Sequence, residues 1–192
     1  MIALTRAGPA ARGMMFAYPR TVAVRGWRVI RLDSSAFREL STDGGATVQA
    51  LLIVLLGAFA TTLGTFGELG GGAWRELPRQ MFLGYVGWVT GTFLVYLIGT
   101  KVLRAPDSKA DWAAVSRVMG FAYAPVLLRV IGITPGIGVA VAVLTLVWQA
   151  IAMLSGMKEV LVSKSYWKPI LILAMGAAPY VAVLAGFNLL LR

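Results

Sequence analysis

From Thr47 to Phe66 the chain reads TVQALLIVLLGAFATTLGTF without one charged side chain. About 20 helical residues cover the hydrocarbon layer of a bilayer. Lipid offers no hydrogen bonds, so an apolar stretch of this length must satisfy its own backbone as a helix. Stretches of similar character follow at about residues 81–100, 113–133, 137–157 and 170–191. With 58% hydrophobic and 14% charged residues, the composition departs from that of soluble domains. The expected fold is all-α: a polytopic membrane protein with five transmembrane helices (residues 46–192) behind a short basic N-terminal cytoplasmic segment (residues 1–45).

The third stretch, AAVSRVMGFAYAPVLLRVIGIT from Ala113 to Thr134, is the most unusual. It carries Arg117 near one end and Arg129 near the other, with Gly120, Tyr123 and Pro125 between. Arginines at the two ends of a span are expected to snorkel toward opposite headgroup layers. Pro125 lacks the N–H that a helix interior needs and crowds the preceding turn, which predicts a bend or break. Arg117, Gly120, Tyr123, Pro125 and Arg129 are therefore the candidate contacts for lipid, including anionic headgroups, or for a partner chain.

In the second stretch Gly84, Gly87, Gly91 and Gly99 recur at helical spacing, and Gly87 with Gly91 forms a GxxxG pair. Such glycines let another helix approach closely, here as an internal packing face or as the seam of a homo-oligomer. The preceding GELGGGAWRELPRQ, Gly67 to Gln80, reads as a flexible loop; it lacks the ending of a phosphate-binding loop. Arg25, Arg28 and Arg31, spaced three apart beside Trp27, read either as a surface amphipathic helix or as a basic tail. Asp33 or a following serine is placed to cap a short helix carrying Phe37 and Leu40. Pro106, Asp107 and Ser108 mark a helix restart, with Asp111 completing a Ser-x-x-Asp capping box. Gln149 is expected to bond across helices within the fourth span.

The net charge is +10. Setting aside Arg117 and Arg129, thirteen basic residues fall before the first span or in the connectors after the second and fourth, against three elsewhere. By the positive-inside tendency this puts the N-terminus in the cytoplasm and the C-terminus outside. The same excess reads as attraction to anionic lipid, with no nucleic-acid partner. Cysteine and histidine are both absent, which removes thiol chemistry and the commonest metal ligand and general base. All eight carboxylates lie outside the apolar stretches, where a proton-coupled carrier would normally keep one. Neither an enzyme, a cofactor site nor a metal site is expected.

Two segments carry a resemblance: LDSSAFRELSTDGGATVQALLIVLL, Leu32 to Leu56, and RVMGFAYAP, Arg117 to Pro125. On these, and on five spans in the same order, the chain resembles the Yip1 domain family, most closely its short bacterial members. The Asp-Leu-Tyr-Gly-Pro motif of eukaryotic members is missing, so the resemblance does not extend to Rab-type GTPase binding. It implies a multi-pass protein of a bacterial inner membrane tied to membrane organisation or trafficking, with no settled activity for bacterial members. The absence of acid-base groups in the spans and the glycine-rich packing faces make a scaffold or adaptor with a membrane-protein partner the expected role. From a different class comes a small permease or lipid-handling protein using Arg117 and Arg129 beside a break at Pro125.

Overall fold

A computed structural model describes residues 9–66, 70–103 and 111–190, with side chains from Arg20 onward. The described residues are helical, with no strand. The helices are α1 (Pro9–Ile30), α2 (Ser34–Thr42), α3 (Ala46–Gly64), α4 (Ala73–Leu97), α5 (Trp112–Phe121), α6 (Gly138–Val160) and α7 (Trp167–Leu190). Five helical stretches are long and apolar enough to cross a membrane: 46–64, 70–102, 112–133, 138–160 and 167–190. That fits an integral multi-pass membrane protein.

The third span is the most buried and the seventh helix the least, so the bundle is built around residues 112–133. α5 starts at Asp111, whose side chain accepts from the Ala114 N–H at 2.6 Å. Asp111 is thus itself the N-cap, and the restart residues Pro106, Asp107 and Ser108 lie outside the described residues. The α-helix ends at Phe121 and resumes as a ten-residue 3₁₀ helix, Ala124–Ile133, with Pro125 in its first turn. Proline can neither donate to the carbonyl four residues back nor clear it, so the α-helical ladder stops there. Runs of 3₁₀ helix rarely exceed three or four residues. This one is held by close packing on α3: a Cβ on Gly64 would run into the Arg129 carbonyl oxygen, and one on Gly132 would stand 3.1 Å from the Gly64 oxygen.

α2 packs into the bundle, with Ala36, Phe37 and Leu40 fully buried. A Cβ on Gly156 would lie 2.6 Å from Val118 and 3.3 Å from Phe37, so α6 meets α2 and α5 at a glycine. The turn from α1 into α2 places Leu32 at φ 59°. The Asp33 N–H bonds to Arg28 O and the Leu32 N–H to Val29 O, the paired bonds of a Schellman ending with leucine where glycine is usual. Trp148 on α6 donates its indole N–H to Ile30 O at 2.9 Å, fixing the end of α1.

Two expectations need correction. The stretch 67–80 is not an open loop throughout: Gly70–Gly72 forms a 3₁₀ turn and α4 begins at Ala73, with Pro78 inside it. Trp74 anchors this turn against Phe59 and Phe66, and Glu76 pairs with Arg79 one turn on. Nor are Arg25 and Arg28 free for a membrane surface, because both are paired with carboxylates at the two ends of α2 and within it, Asp33, Glu39 and Asp43.

Candidate functional site

Three polar constellations lie in or beside the apolar core. The first joins α1, α2 and α3. The Arg25 guanidinium bonds Asp43 at 2.6 Å, Glu39 at 2.9 Å and the Gln49 amide oxygen at 2.8 Å. Arg28 reaches Asp33 at 2.9 Å and Glu39 at 2.6 Å. Asp33 also caps α2, accepting from the Ser35 N–H at 2.8 Å. Bonds from Arg28 hold the Glu39 carboxyl below its ordinary range against the opposing effect of burial, and bonds from Arg25 do the same for Asp43. Burial works against the Arg25 charge, yet its bonds to Asp43 and Glu39 raise its pKa overall. The arrangement locks three elements together and leaves no group poised for proton transfer.

The second constellation holds the arginines of the third span, and Arg117 turns into the protein instead of snorkelling. Arg117 is 7% exposed; its Nε donates to Leu40 O at 2.9 Å and its Nη2 to Ser41 O at 2.5 Å. These are orphan carbonyls at the C-terminal end of α2, where the helix dipole favours a cation. Arg129 donates to Thr145 Oγ1 at 3.1 Å and Thr61 Oγ1 at 3.4 Å. Among the described residues no carboxylate pairs with either. Gly120 lets α5 close on its neighbours, since a Cβ there would stand 2.6 Å from Ala50 and 3.1 Å from the Trp88 indole nitrogen. Trp88 in turn donates to Ser116 O at 3.0 Å. Pro125 is fully buried, so no groove runs beside it.

The third constellation was not foreseen as a unit. A cavity of about 250 Å³ lies between α4, α5, α6 and α7. Its walls are apolar except for Thr92, Tyr123, Gln149 and Tyr180. The Tyr123 and Tyr180 hydroxyls face each other at 3.4 Å. Gly87 makes room for them: a Cβ there would stand 2.9 Å from the Tyr180 hydroxyl and 3.5 Å from that of Tyr123. Gly91 lies against the Tyr180 ring, and Gly99 against Leu161 and Ile172. Gly84 points the other way, its Cβ position 3.4 Å from Ala58 on α3. Gly84, Gly87, Gly91 and Gly99 therefore serve packing within this chain, on two faces of the span 70–102. α7 runs antiparallel along α4 and is pinned at its far end by Phe82 against Phe187 and by Arg79 donating to Asn188 at 2.7 Å.

Among the described residues no group of His, Cys, Asp or Glu side chains could hold a metal ion. Comparison with protein-family models, with curated proteins and with solved structures finds no match.

Proposed function

We propose that this chain is a non-catalytic integral membrane protein that works as a scaffold or adaptor, in the manner its resemblance to Yip1 domain proteins implies. One observation carries the reading: the two arginines of the third span are already bound from within. Arg117 is taken by backbone carbonyls and Arg129 by threonine hydroxyls. Exposed to the surroundings are apolar faces such as Val143, Leu144 and Val147 on α6 and Val181 on α7. Catalysis needs groups matched to proton or electron-pair transfer, and a carrier for charged solutes needs free charges along a path; neither is offered by these arginines. The lipid-handling reading through Arg117 loses its ligand for the same reason, since Arg117 is engaged and buried.

In this proposal the N-terminus faces the cytoplasm and the C-terminus lies outside, in a bacterial inner membrane, as the distribution of lysine and arginine supports. The partner is a membrane protein or a second copy of this chain, with anionic lipid around the basic face. The test places a photo-crosslinking residue at Leu144, Val181 and Trp27 in turn, in intact membranes. The reading expects a discrete protein adduct from at least one face; adducts to lipid alone at all three positions overturn it.

A further inference from the structure

We infer that the cavity between α4 and α7 is a binding site for an uncharged lipid that carries a carbonyl oxygen into the middle of the membrane. This goes beyond the scaffold reading and stands without it. The site exceeds the roughly 150 Å³ that accommodates a benzene ring in an apolar core, and its walls suit one hydrocarbon chain or a small ring. Leu146 on α6 and Val181 on α7 line it while 58% and 62% exposed, so the opening lies between those two helices, toward lipid tails.

The polar groups set the class of ligand. Thr92 is 1% exposed, and its hydroxyl has no hydrogen-bond partner. Thr61, Thr62, Thr100 and Thr145 each return a bond to the carbonyl four residues back; Thr92 does not. A buried donor left without a partner destabilises the fold, and a bound carbonyl would remove that cost. Tyr123, Gln149 and Tyr180 stand near the midpoints of spans 112–133, 138–160 and 167–190, and Thr92 lies within the uncharged stretch 81–100. A glycerophospholipid keeps its charged headgroup and ester carbonyls at the interface. A diacylglycerol or an isoprenoid quinone has no charge to hold it there, and its carbonyl can reach this depth.

The experiment measures equilibrium binding of dioleoylglycerol, of an isoprenoid quinone and of phosphatidylglycerol to the purified full chain in mild detergent. One of the two uncharged probes is expected to bind saturably and phosphatidylglycerol not to. Ala150→Phe puts a large ring into the cavity while leaving its hydroxyl-bearing residues in place, and should weaken that binding by about tenfold or more. Thr92→Val keeps the shape and removes the donor. It should weaken binding about fivefold, the size of one hydrogen bond, while leaving the thermal stability of the ligand-free protein unchanged or raised. The inference is overturned if neither uncharged probe saturates, if phosphatidylglycerol alone binds, or if a folded Ala150→Phe binds like the parent. Should Ala150→Phe fail to fold, Thr92→Val decides, and unchanged affinity overturns the inference.

Discussion

The Arg117 guanidinium closes the C-terminal end of α2, its Nε donating to the Leu40 carbonyl at 2.9 Å across 77 residues of sequence. Through this bond the most buried span is tied to the stretch that precedes the first one. Replacing Arg117 by Met removes the charge but keeps much of the volume, leaving the Leu40 and Ser41 carbonyls unbonded. Hydrogen bonds to a charged group are worth about 1.5–3 kcal/mol. The Met variant should lose stability of that order in denaturant unfolding, and proteolysis within α2 should quicken. Unchanged protection of α2 would mean that the bond holds nothing.

Close packing of the third span against α3 predicts a steep ranking among glycines. Gly64→Ala brings a methyl onto the Arg129 carbonyl oxygen, backbone against backbone, where neither side yields easily. Overpacking costs typically 1–3 kcal/mol, and Gly64→Ala should fall at the upper end. Gly71→Ala, whose Cβ would meet nothing within 4 Å, should be neutral. The thermal midpoints of the two variants test this directly.

Helix α6 ends in the same manner as α1, with the Ser163 N–H bonded to Lys158 O and the Val162 N–H to Glu159 O. Val162 takes φ 50° and is 62% exposed. A β-branched residue in the left-handed region costs about 1–2 kcal/mol, and little packing is lost on removing this one. Val162→Gly should therefore raise stability by about 1 kcal/mol, less the extra chain entropy of glycine. A destabilised Val162→Gly would contradict the assigned backbone.

The Arg25 and Arg28 network predicts an acid limb to stability. Arg28 lowers the Glu39 pKa, hydrogen bonds from Ser35 and Arg28 lower that of Asp33, and Arg25 lowers that of Asp43. A depressed carboxylate binds fewer protons folded than unfolded, so its contribution is present above the unfolded pKa near 4 and is lost as pH falls through the folded value. Midpoints should hold between pH 7 and 5 and drop below about pH 4. Glu39→Gln should lie lower at neutral pH and decline less on acidification; parallel curves would show that the network does not titrate with folding.

The spans were legible because a bilayer fixes both the length and the apolarity of a helix, as Thr47–Phe66 shows. The break before Pro125 was legible for a similarly local reason, the missing N–H. Arg117 was misread because its partners are backbone carbonyls, which have no signature in sequence. The acids that neutralise Arg25 and Arg28 were visible at Asp33, Glu39 and Asp43, and the matching signs could have signalled a folded α1–α2 unit. Tyr123 and Gln149 stood out as polar residues within apolar stretches; Thr92 and Tyr180 carried no such signal. Only the antiparallel packing of α7 on α4, and the position of α6, brings them to one cavity.

A protein that acts by holding its partners keeps the polar groups of its core against protein or an apolar cavity and lines no water path with them. The chain has no cysteine, so single cysteines at positions 123, 149 and 180 can be read without background. In sealed vesicles, a membrane-impermeant maleimide applied from either side should leave all three unlabelled, while a lipid-soluble maleimide should reach at least one. Labelling of these positions by the impermeant reagent from both sides would reveal a water-filled passage and contradict a protein that acts by holding its partners.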